Sequence, residues 1–220
     1  MAFSQRSSFR LLRTLAFALA LASACMGAPA LDSARFLESA EKRGPHTVAE
    51  ARAVLKLIER ASTQDELVRL ILVNDFFDQH IRYAEDIDVW GVLDYWASPL
   101  EALQKGAGDC EDYAIAKYFT LASAGVPIAK LRMVYVRAMV DGKSLAHMVL
   151  AYYAQPGAEP LILDNLITEV KPASQRPDLT PQFSFNSEGL WNGQGAPWGN
   201  PASRISQWRD VLMKVKDEGF

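Results

Sequence analysis

The sequence predicts an α+β fold, helices packed on an antiparallel sheet, and three observations carry that expectation. Apolar residues recur at helical spacing up to about position 83, a helix-start signal stands at 109, and three β-rich runs separated by turn signals lie between 131 and 165. At 220 residues, half of them hydrophobic, the chain is long enough for one globular domain. Its net charge of -3 gives no sign of a nucleic-acid surface, and no repeat or low-complexity tract interrupts it.

The first segment reads as an address rather than as part of the fold. Arg6, Arg10 and Arg13 precede the apolar run "LAFALALASA", and Ala22-Ser23-Ala24 and Ala28-Pro29-Ala30 both fit a small-residue cleavage pattern. Residues 1–30 are therefore expected to be a secretory leader and 31–220 the mature domain. An uncleaved anchor is disfavoured by the alanine content and by Gly27 and Pro29, and a lipidated Cys25 lacks the large aliphatic residue expected three positions before it. No later apolar run is long enough to span a bilayer.

Two helices are expected next. "HTVAEARAVLKLIERAS" and "TQDELVRLILVNDFFDQHIRY" carry the right periodicity, and Thr63 to Glu66 resembles a capping box at the start of the second. "GAGDCEDYAIAK" then opens another: Asp109 after Gly108 fits an N-cap, Asp112 falls at N3, and the run continues to stop signals at Gly125 and Pro127. Cys110 thus sits at a helix start. Loss of the leader leaves it as the single cysteine, exposed to an oxidising compartment with no disulfide partner. A lone thiol is often an inert buried hydrophobe, but at a helix N-terminus it meets unpaired N–H groups that favour the thiolate.

Downstream, "LRMVYVRAMV" and "KSLAHMVLAYY" flank Asp141-Gly142, a type I′ hairpin signal, and "LILDN" follows as a third short strand ending at Asp164. If the second turn centres on Gln155-Pro156, Asp164 faces His147; if it centres on Pro156-Gly157, Asp164 faces Val149 and lies diagonal to His147. Either way an imidazole and a carboxylate meet on one sheet face. A helix N-terminus packed on that face would add the thiol, making a nucleophile, base and orienter of Cys110, His147 and Asp164. His46 and His80 lie in expected helices with no thiol nearby and read as surface or packing residues.

On "DYWASPLEALQKGAGDCEDYAIAK", the His147 strand, "LILDN" and "SFNSEGLW", the chain resembles the bacterial transglutaminase-like cysteine proteinases of the LapG-type periplasmic group. His147 follows Cys110 by 37 residues and Asp164 by 54, similar to that family's triad spacing. The resemblance implies a papain-like, transglutaminase-like core and a periplasmic endopeptidase. It also implies that the substrate is a large surface adhesin, cut near its N-terminus at a pair of alanines to disperse a biofilm. The partner it implies is the periplasmic domain of a cyclic-di-GMP-sensing inner-membrane receptor, acting as inhibitor.

Two carboxylates, Asp109 and Glu111, flank the thiol and by themselves oppose its ionisation, so something positive is expected beside them. Both offer hard oxygen ligands and "YAEDIDVWGVLDYW" supplies more, which makes calcium the natural candidate, with Asp109 and Glu111 as metal ligands. The resemblance also implies calcium beside the catalytic cysteine. The alternative is capping by Asp109 with Glu111 solvated; zinc is excluded by the scarcity of histidine and cysteine. Trp90 and Trp96 read as core anchors or cleft walls, one indole N–H being a candidate oxyanion donor. Residues 172–199, rich in Pro, Gly and Asn, read as a long loop bordering the groove, and "ISQWRDVLMKVKDE" as a closing helix. Two other functions fit the same residues: transglutaminase or amidase acyl transfer by the same triad, and a non-catalytic module that docks an envelope protein.

Overall fold

Helices occupy the first half of the described chain and a sheet most of the second. The computed structural model describes Met1 and residues 31–220; the leader expected over 1–30, with Cys25, lies outside the described residues. Among the described residues no helix is long and apolar enough to cross a membrane.

Three helices come first, α1 (Ser33–Glu41), α2 (Pro45–Ser62) and α3 (Glu66–His80). The capping box expected at Thr63 does not form. Only three residues separate α2 from α3, so Thr63 serves as the C-cap of α2, its hydroxyl donating to the Arg60 carbonyl at 2.9 Å, while Asp65 takes the N-cap position of α3. After α3 come β1 (Arg82–Tyr83), the single turn α4 (Asp86–Val89), α5 (Pro99–Lys105), β2 (Ala107–Gly108) and α6 (Cys110–Ser123). A capping box does form on α5, where Ser98 and Glu101 bond reciprocally, and Gly106 ends that helix at φ 57, a left-handed value suited to glycine. The chain is thereby turned into β2, which pairs in parallel with β1 as Arg82↔Ala107 and Tyr83↔Gly108. This short ladder holds the backbone immediately before Cys110. Gly108 has no room for a side chain, because a Cβ there would collide with the Asp112 carboxylate.

The sheet begins with β3 (Leu131–Val140) and β4 (Lys143–Tyr152). Their turn residues Asp141 and Gly142 take φ 49 and 75, the two positive values that a type I′ turn demands. β5 (Leu161–Leu163) pairs as Leu150↔Leu163 and Tyr152↔Leu161, the second of the two registers open to the sequence, so Asp164 is diagonal to His147. β6 (Lys171–Pro172), β7 (Leu179–Phe185), β8 (Leu190–Asn192) and β9 (Pro197–Gly199) complete seven strands in the order β6-β5-β4-β3-β7-β8-β9. Half of the stretch 172–199 is therefore sheet rather than the long loop expected; its strands are too short to show alternation, and pairing of β7 along β3 organises them. α7 (Pro201–Arg204) and α8 (Ser206–Glu218) close the chain.

One sheet face, with Met148, Leu150 and Tyr152, joins α6 residues Ile115, Tyr118 and Leu121 and α8 residue Trp208 in the main core. The opposite face carries a second cluster of Val134, Val136, Val149, Ala151 and Ile162. Each such fully buried aliphatic side chain contributes about 1.5–3 kcal/mol, and the main core fixes α6 against β4.

Candidate active site

Cys110 sits at the tip of α6, partly buried, in a cleft of about 520 Å³ whose walls include Tyr83, Trp96, Leu145, His147 and Phe183. Thiol and imidazole meet there by a route the sequence did not suggest. α6 packs on the Met148 and Leu150 face, not on the face that His147 shares by alternation with Val149 and Ala151. β5 pairs with β4 only from Leu150 onward, and the Cys110 end of α6 meets β4 beyond that point, at residues 146–148. The thiol therefore approaches His147 around an open strand edge.

The helix start does not by itself ionise this thiol. Burial pushes the Cys110 thiol well up, the Glu111 and Asp109 carboxylates add to that, and the Met148 backbone N–H opposes it. The expected lowering at the helix N-terminus is outweighed. Cys110 Sγ donates to Glu111 Oε2 at 3.0 Å, and among the described residues no hydrogen bond joins it to His147.

His147 is buried and its Nε2 lies 2.7 Å from Asp164 Oδ1, which leaves the other ring nitrogen free of that pair. Asp164 Oδ1 also accepts from the Asn165 N–H at 2.7 Å, and Oδ2 accepts from Arg176 Nη2 at 2.6 Å. Burial alone would raise the Asp164 carboxyl, but the bonds from His147 and Arg176 hold it below the usual carboxylate range. A carboxylate held low stabilises the fold above its unfolded pKa and loses that contribution only as pH falls through the folded value, so Asp164 is ionised at neutral pH. Arg176 was not singled out in the sequence; it is 2% exposed and grips both Asp164 and Asp178. Arg176→Met should cost about 3–5 kcal/mol of stability, because it strands the buried Asp164 charge. Thermal unfolding checks this, and a loss below about 1 kcal/mol would contradict it.

Behind the pair, Lys117 of α6 is fully buried and bonds Asp78 Oδ1 at 2.7 Å, Asn74 Oδ1 at 2.9 Å and the Asp164 carbonyl at 3.2 Å. One ammonium thus ties α3, the thiol-bearing helix and the Asp164 backbone into a single polar network.

The carboxylates beside the thiol form a second feature. Ligand oxygens of Asp86, Asp109 and Asp112 lie within 4.8 Å of one another, as do those of Asp86, Asp94 and Glu111, and likewise the donor atoms of Asp109, Cys110 and Glu111. Asp109 makes no capping bond, so the simple capping alternative is not what the fold adopts. Asp86 Oδ1, Asp109 Oδ1 and Asp112 Oδ2 are each buried without a hydrogen-bond partner. Their other bonds are few: Asp112 Oδ1 accepts from the Ala97 N–H at 2.7 Å, and Asp86 accepts from the Tyr95 N–H. Burial raises all three carboxyls, and the neighbouring carboxylates add to the shift. Orphaned, converging oxygens of this kind fit a hard divalent cation held by oxygen ligands. Asp109 and Glu111 stand in these groups with Asp86, which falls in the acidic stretch also read as a source of ligands, and with Asp112, which the sequence presents only as a helix N3 residue.

Trp96 lines the cleft; Trp90 instead stacks on Tyr95 at 4.3 Å. His46 is exposed, and His80 stacks on Phe76 with Nδ1 2.8 Å from the Phe76 carbonyl, both away from the thiol.

A helix-tip thiol beside a histidine–aspartate pair on an antiparallel sheet is the arrangement of a transglutaminase-like thiol enzyme. The profile described as bacterial transglutaminase-like cysteine proteinase BTLCP matches residues 46–180, and the chain belongs to that family. Among solved structures it is similar to Legionella pneumophila LapG at 38% identity and a TM-score of 0.75, covering 86% of this chain and 98% of that one. The EGTA-treated form of Legionella pneumophila LapG matches at 37% identity and 0.75, over 86% and 100% of the two chains. The calcium-bound form matches at 38% and 0.71, over 83% and 98%. None of the curated proteins matches the chain.

Proposed function

We propose that this cysteine proteinase is a periplasmic, calcium-dependent endopeptidase that cuts a large surface adhesin near its N-terminus, releasing it from the cell and dispersing a biofilm. The observation that carries the catalytic part is the cleft itself, where Cys110 and the His147–Asp164 pair converge beside carboxylates that lack partners. Cys110 attacks the scissile carbonyl; His147 accepts the thiol proton and returns it to the leaving amine; Asp164, fixed by Arg176 and the Lys117 network, orients the imidazole. The Cys110 backbone N–H and the Trp96 indole are the donors assigned to the oxyanion, and water releases the acyl group.

Asp86, Asp109, Asp112 and Glu111 would hold the calcium, a reading supported by the calcium-bound Legionella pneumophila LapG. What calcium supplies when bound is positive charge that offsets the carboxylates around Cys110 and so favours the thiolate. The adhesin, the cut at paired alanines, the periplasmic location and inhibition by a cyclic-di-GMP-sensing receptor rest on the likeness of the Cys110, His147 and Asp164 motifs to the LapG-type group.

His147→Ala should lower kcat/KM by at least about 10²–10⁴-fold, while Asp164→Asn, which keeps shape and leaves Asp178 on Arg176, should retain as much or more. An asparagine variant far worse than the alanine variant at equal folded fraction would overturn the assignment of roles. The biological reading is tested by incubating the protein with N-terminal adhesin fragments, with and without the periplasmic domain of the receptor. Cleavage that the receptor domain suppresses is expected; intact fragments, or cleavage indifferent to the domain, would contradict it.

A further inference from the structure

On the sheet face away from α6, the second apolar cluster floors a cavity of about 260 Å³. Register places Arg132 beside Ala151 and Ile162 in one cross-strand row and Val134 beside Val149 in the next. The segments that follow β4 and β6 wall this floor with Tyr153, Pro160 and Ala173. Of the residues lining it, only Phe183 is shared with the catalytic cleft, so the two are separate spaces.

Two guanidinium groups line the cavity, and each has an open donor. Arg176 holds Asp164 and Asp178 through Nη2 and Nε, but its Nη1 is buried without a hydrogen-bond partner. Arg132 makes no ion pair among the described residues, and its Nε is likewise buried and unpartnered. Its guanidinium carbon lies over Trp191, 3.8 Å from the ring centroid, and 5.0 Å from that of Tyr153, which fixes the group without neutralising it. An apolar pocket needs no polar wall to stay closed. Two open guanidinium donors and one uncompensated positive charge, against the hydroxyls of Tyr153 and Ser184 and the amide of Asn192 with no carboxylate in the lining, select a ligand that accepts hydrogen bonds and carries negative charge.

We propose that this cavity is a binding site for a small organic monocarboxylate, with Arg132 taking the carboxylate, Val134, Val149 and Ala151 carrying the apolar body, and Arg176 Nη1 offering a further donor. Size favours a ligand larger than one ring: a dry cavity of about 150 Å³ accommodates benzene, so this one suits a bicyclic acid or an acid of about eight carbons. Polycarboxylates fit poorly, because the apolar floor would desolvate their second charge. Arg176 is common to this cavity and to the Asp164 ion pair, so the site lies directly behind the residue that orients His147.

The test uses 2-naphthoate, with its neutral isostere 2-naphthamide as control, on the purified calcium-loaded protein. Methyl NMR locates binding and calorimetry measures it. The expected result is saturable shifts at Val134, Val149 and Ala151 with a Kd below about 1 mM, and binding of the amide at least about tenfold weaker. Arg132→Gln should bring the two compounds to similar affinity while retaining the native methyl spectrum. The shift map of the unmodified protein stands even if that variant misfolds. Absence of saturable shifts at those methyls, shifts confined to cleft residues such as Leu93 and Leu145, or equal affinity for acid and amide would overturn the proposal.

Discussion

Cys110→Ala should abolish peptide cleavage, a loss of about a million-fold in kcat, while leaving the melting temperature within about 4 °C of the unmodified protein. The chemical loss is total because no other cysteine is present among the described residues and no serine or threonine hydroxyl lines the cleft with His147. The structural loss is small for three reasons. Cys110 is the first residue of α6, it is only partly buried, and alanine has the higher helix propensity. Burial keeps the thiol protonated, so removal costs one S–H hydrogen bond to Glu111 Oε2 rather than a charged pair. Parallel assays of activity and thermal unfolding check both halves. An alanine variant with full activity would remove Cys110 from the mechanism, and one that is inactive because unfolded would place it in the core instead.

Removing calcium should have the next largest effect. Chelation is expected to take activity to background, and calcium should restore it better than magnesium, whose small octahedral shell suits a cluster of protein carboxylates less well. The same cluster sets a pH dependence of stability. Burial raises the Asp86, Asp109 and Asp112 carboxyls, so the metal-free fold binds protons more tightly than the unfolded chain does. Its stability should therefore fall as pH rises above the ordinary carboxylate range, and calcium should reverse the fall by replacing those protons. Asp112→Asn keeps the oxygen that accepts from the Ala97 N–H and removes the charge, so calcium affinity should drop by at least about tenfold while metal-free stability rises. Glu111→Gln should weaken calcium binding with little change in metal-free stability. Calorimetry decides: no calcium heat in the unmodified protein, or unchanged affinity in both variants, would separate the cluster from the metal.

What the sequence made legible was local. Asp141-Gly142 encodes its own turn, Asp109 and Gly125 bracket the helix that Cys110 opens, and the alternation of β4 limits Asp164 to positions opposite or diagonal to His147. Contacts between distant segments were not legible. Arg176 reaches Asp164 across a loop that carries no periodic signal, and Asp112 looks like an ordinary first-turn carboxylate until Asp86 and Asp109 are folded against it. Which β4 face α6 would cover was misread for a related reason. His147 marks one face as functional, but the bulk of Met148, Leu150 and Tyr152 places the core on the other, and the thiol reaches the imidazole around the strand edge. The strands between 171 and 199 are two to seven residues long, too short to stand out from the turns that join them.

In the proposed mechanism Cys110 carries an acyl group that water releases, and the reaction requires calcium. Mass spectrometry of an adhesin N-terminal fragment cut in ¹⁸O-labelled water, with a primary amine present and with either calcium or EGTA, tests both points at once. The expected result is a single cut that leaves labelled oxygen on the new C-terminus, no amine adduct, and products only with calcium. An intact fragment, equal cleavage under EGTA, or an amine-linked product in place of the labelled acid would contradict it.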